Sequence, residues 1–114
     1  MTAPLTAVIF DVANVIVHWD PRLPLAGRVP AADIDAFVEH AGFWELNAEA
    51  DAGVTIAQML PRVDAEMPEL SDTFRVYLEH FPDSVPHPLP GTTEIIDELL
   101  ARGVPTYGLS NWWP

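Results

Sequence analysis

Two short apolar runs stand near the ends of the chain, and each stops at a polar residue. The first, Leu5 to Phe10, is rich in β-branched side chains and ends at Asp11; the second, Val104 to Leu109, ends at Ser110-Asn111. Runs of this length without polar alternation predict strands buried on both faces, as in parallel sheets. After Asp11 the apolar character resumes through Val12, Val15, Ile16 and Val17, then stops at the polar turn His18-Trp19-Asp20-Pro21.

From Pro21 to about Pro90 the spacing becomes helical. Ile34, Phe37, Val38 and Ala41 mark one apolar stripe. Phe43, Trp44 and Leu46 open a second short helix, which Gly53 ends. Thr55 is the expected N-cap of a helix over Ile56 to Met67, which Pro61 should kink or divide. Ser71 is the expected cap of a fourth helix carrying Phe74, Val76, Tyr77, Leu78 and Phe81, stopped by Pro82. Residues 82–90 (PDSVPHPLP) read as a proline-rich linker. Thr92 or Thr93 then caps a helix over Glu94 to Arg102 that should bury Ile95, Ile96, Leu99 and Leu100, with Gly103 as its C-cap.

These elements imply an α/β fold in which the Glu94–Arg102 helix is the crossover of a βαβ unit. Segments 1–20 and 88–114 form the core, and 21–87 is an inserted helical cap with its linker. In open parallel sheets ligands bind beyond the carboxyl ends of the strands, where Asp11 and Ser110 fall, and the helices are expected to cover that edge.

Composition narrows the function. The 114 residues include 17 acidic and 5 basic side chains, a formal charge of -12, and all five bases are arginines. Such a surface repels phosphate backbones and argues against nucleic-acid binding. Without cysteine, disulfides and thiolate metal sites are excluded. No run approaches the roughly 18 apolar residues that span a bilayer, and Met1 to Ala7 lacks a signal-peptide pattern, so a cytoplasmic protein is expected. His18, His40, His80 and His87 are not spaced as a metal cluster and are expected to be exposed. Trp19, Phe43, Trp44 and Phe81 read as packing residues, and Asp33, Asp35 and Glu39 as the solvated face of a helix.

Two stretches resemble the haloacid-dehalogenase (HAD) superfamily of hydrolases. One is Ala7-Val-Ile-Phe-Asp11-Val-Ala13-Asn14-Val-Ile-Val with His18-Trp19-Asp20-Pro21-Arg22; the other is Leu89-Pro-Gly91-Thr-Thr, a helix, and Gly103-Val-Pro-Thr-Tyr-Gly-Leu-Ser110-Asn111-Trp112. The segment Phe43 to Gly53 is similar to the small-cap subgroup, which holds 2-haloacid dehalogenases and small sugar-phosphate phosphatases. The resemblance implies a Rossmannoid parallel sheet with an inserted helical cap. It implies that Asp11 is a nucleophile forming a covalent aspartyl intermediate, with Ser110 and Asn111 holding a small anionic substrate. In a phosphatase it further implies Mg²⁺ on Asp11 and the Ala13 carbonyl; a dehalogenase would need no cofactor. Asn14 is expected to fix the loop after Asp11 by side-chain hydrogen bonds. Arg22, the basic residue nearest Asp11 in sequence, either meets the substrate anion or serves the surface.

The chain departs from the family pattern in two ways. Ala13 stands where phosphatases of this type usually carry a general-acid Asp, whose absence costs roughly 10²–10⁴ in rate with a poor leaving group. The family's later motifs supply a lysine and further metal-binding acids. This chain has no lysine, so the resemblance implies only the first strands of the sheet and an incomplete site. A phosphatase is favoured because Asn-Val follows Ala13. A 2-haloacid dehalogenase and a non-catalytic remnant that acts by binding stand as alternatives, and the oligomeric state is open.

Overall fold

In a computed structural model the chain is a mixed α/β protein, with five α-helices between two parallel terminal strands that form a small sheet. The structure describes residues 3–40 and 42–113. Strand β1 spans Val8–Asp11 and β2 spans Thr106–Leu109. Between them run α1 (Ala31–Asp35), α2 (Phe43–Asp51), α3 (Ile56–Glu66), α4 (Ser71–Glu79) and α5 (Thr92–Ala101). The chain divides into a sheet unit, Met1–Trp19 with Val85–Ser110, and a helical unit, Asp20–Ser84 with Asn111–Pro114.

In the sheet unit the parallel register pairs Val8 with Thr106, Ile9 with Tyr107, Phe10 with Gly108 and Asp11 with Leu109. Helix α5 packs on β2. Its C-terminus closes as the sequence predicts: Gly103, at φ 72°, donates to Leu100 O and Val104 donates to Leu99 O. That paired capping satisfies two carbonyls the helix would otherwise leave open, and the left-handed position suits glycine. Its N-terminus differs from expectation. Gly91 is the cap residue, Thr92 and Thr93 are already helical, and the Thr92 hydroxyl donates to Val15 O at 2.7 Å.

Burial in this unit is lower than the apolar runs predict. Val8, Phe10 and Thr106 share a half-buried face, whereas Ile9, Tyr107 and Leu109 on the other face are 64%, 60% and 68% exposed. The expectation of strands buried on both faces is thus corrected: one helix beside two strands covers a single face. The same holds for α5, where Ile95 and Leu100 are more than half exposed rather than buried.

The fully buried hydrophobic residues among those described all fall in the helical unit. Leu25, Phe37, Phe43, Met59, Val63, Phe74 and Tyr77 are its centre. Phe37 contacts Phe43, Phe74 and Tyr77 with ring centres 5.3 to 6.1 Å apart in tilted geometries, the range aromatic pairs prefer. Thr55 makes a full capping box with Gln58, so two end amides of α3 are satisfied reciprocally. Gly53 closes α2 as Gly103 closes α5.

Three local expectations change. Of the two outcomes expected at Pro61, a kink or a division, the division does not occur: α3 runs unbroken from Ile56 to Glu66. Ser71 is the first residue of α4, not its cap; the cap is Leu70, and the Ser71 hydroxyl donates to Asp64. The first helical stripe divides into α1 and a π-helical turn over Ala36–His40; Ala41 lies outside the described residues. Phe43 is buried as expected, but Trp44 is 51% exposed, its ring edge on Phe43.

Candidate active site

Asp11 is the last residue of β1 and Leu109, its register partner, the last of β2. Ser110 follows directly, so Asp11 and Ser110 stand at the carboxyl edge of two adjacent parallel strands, about 4.8 Å apart in such sheets. Both are exposed. The Val12 N–H donates to Asp11 Oδ1 at 2.7 Å, which orients the carboxylate on its own backbone.

A tight loop carries the chain away from Asp11. The Val12 carbonyl accepts from the N–H groups of Val15, Ile16 and Val17. Asn14 takes a left-handed conformation, φ 57°, which asparagine tolerates better than most residues, and its Oδ1 accepts from the Trp19 N–H at 2.9 Å. The bridge between Ala13 and Val17 is made by groups of Val12, Asn14 and Val17, so the Ala13 carbonyl takes no part in it. Residues 87–92 brace the loop: Leu89 N–H donates to Ile16 O at 2.8 Å, His18 N–H to His87 O at 2.9 Å, and Thr92 to Val15 O. Thr92 was visible in the sequence as a helix-start threonine; its bond to a loop 77 positions earlier was not.

The structure brings Asp11, Ala13 and Ser110 into one unit, while Arg22 and Asn111 belong to the helical unit. There Arg22 binds Asp35 at 2.7 Å and Glu39 at 2.5 Å. The Asp35 hydrogen bond, with the charges of Asp35 and Glu39, raises the Arg22 pKa above its ordinary value. An anion reaching Arg22 would compete with two carboxylates already seated on it. The sequence carried a signal for this pairing in two acids four positions apart, read there only as a solvated face.

Mg²⁺ takes six oxygens in near-octahedral geometry and sheds its water reluctantly. The resemblance assigns it one carboxylate and one carbonyl, and among the described residues no group of three or more acids or histidines could hold a metal. These residues do not fit a resident Mg²⁺. Among the described residues, likewise, no helix is long and apolar enough to cross a membrane.

Comparisons with models of protein families, with curated proteins and with solved structures gave no match for this chain.

Proposed function

We propose that the chain is a hydrolase of the HAD type acting on a small phosphate ester through a covalent aspartyl intermediate. The observation that carries this reading is the Asp11–Leu109 register, which delivers a carboxylate and the Ser110 hydroxyl to one edge of adjacent parallel strands. A carboxylate needs no activating base at neutral pH, and its attack is helped by a hydroxyl donating to the oxygen that gains charge. An Asp11 oxygen bonds to phosphorus as the ester P–O bond breaks. The departing alkoxide takes its proton from water, because Ala13 offers none. Water then attacks the phosphorus of the aspartyl phosphate, the bond to Asp11 breaks, and phosphate leaves with the carboxylate restored.

Ala13 favours one alternative, a 2-haloacid dehalogenase. There the carboxylate attacks carbon, the halide departs without a proton, and water hydrolyses the ester. Phosphate release from p-nitrophenyl phosphate with Mg²⁺ in the buffer, run beside halide release from 2-chloropropionate, separates the two. Turnover in either assay that Asp11→Asn abolishes supports a covalent hydrolase. Turnover in neither overturns it in favour of binding alone.

A further inference from the structure

The imidazoles of His18 and His87 are stacked, 5.2 Å apart centre to centre with their planes within 8°. Backbone sets them there: the His18 N–H donates to the His87 carbonyl at 2.9 Å, and Val17 bridges Pro88 beside them. The His87 Nδ1 stands 2.9 Å from the Pro88 carbonyl oxygen. A carbonyl only accepts, so Nδ1 carries a proton whether the ring is neutral or charged, and charging it leaves that bond in place. The surroundings offer little compensation for charge. Apart from the two histidines, neither residues 12–19 nor residues 85–91 contain an ionisable side chain. The other ionisable side chains described in the sheet unit are Asp11 on β1, Tyr107 on β2, and Glu94, Asp97, Glu98 and Arg102 on α5. Asp11 bonds the Val12 N–H and Glu98 pairs with Arg102, and among the described residues no acid bonds either imidazole. Asp20, two positions after His18, accepts from the Arg22 N–H.

We infer that the stacked pair is an acid-sensitive latch: it holds the loop after Asp11 against residues 87–89 until both rings are charged, and then lets go. Histidine is the side chain that gains its charge between about pH 8 and 5. One charged ring over a neutral one keeps the stack, because a cation is attracted to an aromatic face. Two charged rings 5.2 Å apart repel, and separating them relieves the repulsion. Separation also breaks the His18 N–H to His87 carbonyl bond, one of the bonds that brace the loop. The closed latch therefore binds fewer protons than the open one, so it holds at neutral pH and weakens as pH falls. His18 is half-buried and His87 exposed, so water screens the repulsion in part. What is left shifts the balance of closed and open latch by a factor on the order of ten. This device does not depend on what Asp11 does; it governs how firmly the backbone that carries Asp11 is held.

The test is amide hydrogen exchange of the full chain by NMR at pH 7.5 and 5.0, each rate corrected for the intrinsic effect of pH on exchange. The His18 and Leu89 amides, which donate across the latch, should lose about tenfold in protection at pH 5.0, while amides within α3 keep theirs. His87→Phe keeps a ring on the stack but cannot charge, and its His18 and Leu89 amides should hold their protection at both pH values. In the unaltered chain at pH 5.0, 1 M NaCl should restore most of the loss by screening the two charges. Equal protection at the two pH values overturns the latch. So does the same acid loss in His87→Phe, or an acid loss in the unaltered chain that salt leaves untouched.

Discussion

The indole N–H of Trp113 donates to the Asn47 side-chain oxygen at 2.7 Å, joining α2 to a residue 66 positions away. The indole also lies 5.4 Å from Tyr77 and 6.1 Å from Phe81 and Phe74, so the segment after β2 completes the helical unit's aromatic cluster. Trp113→Ala should therefore destabilise the protein by about 2–4 kcal/mol through lost ring contacts. Asn47→Ala should cost about 1 kcal/mol by leaving the indole N–H without its acceptor. Urea unfolding followed by circular dichroism measures both; equal small losses would disprove the cluster's dependence on Trp113.

The Tyr77 ring is fully buried, and its hydroxyl has no hydrogen-bond partner among the described residues. Burial pushes its pKa up, so the folded state keeps the proton at a pH where the unfolded chain releases it. Stability from this group is complete below about pH 10 and falls as pH rises beyond it. Tyr77→Phe should be neutral or stabilising by up to about 1 kcal/mol at pH 7 and should soften the alkaline loss. A loss above about 1 kcal/mol at pH 7 would show that the hydroxyl is bonded.

Asp64 sits between Arg75, at 2.8 and 2.9 Å, and the Ser71 hydroxyl, and these partners lower its pKa to about 2 from 3.8. A depressed carboxylate stabilises the fold above its unfolded pKa, and that contribution is lost as pH falls from about 4 towards 2. Carboxyl titration by NMR should place the Asp64 midpoint near 2, and Arg75→Ala should return it most of the way to the ordinary range. Added salt should shrink the difference, since the pair is exposed.

Capping gives a further pair of tests. Thr55→Ala removes one side of the capping box on α3 and should cost about 1 kcal/mol in thermal or urea unfolding. Gly103→Ala forces a side chain into a left-handed backbone and should cost roughly 1–2 kcal/mol. A neutral Gly103→Ala would show that the end of α5 relaxes freely.

At the proposed site, Asp11→Asn should abolish turnover with little change in Tm, because the side chain is exposed and its hydrogen bond among the described residues is to the adjacent Val12 N–H. Ser110→Ala should lower kcat by about 10²-fold if its hydroxyl meets developing charge. An unchanged kcat in Ser110→Ala would remove Ser110 from the proposed chemistry.

The parts of this fold that sequence made legible are the locally determined ones. Thr55 and Gln58 sit three apart, and Gly53 and Gly103 follow apolar helical stripes, so each announces a helix end without reference to anything distant. Asp11 and Ser110 were readable for the same reason, each closing an apolar run. What sequence hid depends on distant partners. Ile9 and Leu109 carry the composition of buried strand residues, yet exposure is set by how many neighbours a sheet has. Ser71 has the chemistry of a cap, but Asp64 and Arg75 draw its hydroxyl elsewhere. Trp113 carries no local signal of its contacts with Asn47 and Tyr77, and His18 meets His87 only after the helical unit has been traversed.

Six consecutive amides, Asn14 to Trp19, all donate: to Val17 O, three times to Val12 O, to His87 O and to Asn14 Oδ1. Irregular segments ordinarily trade amide hydrogens with water within moments, whereas these six can do so only when several bonds open together. In deuterium the stretch should keep its hydrogens as a helix does, and release them as a block. The carboxylate of Asp11 is thereby mounted on backbone that cannot drift residue by residue.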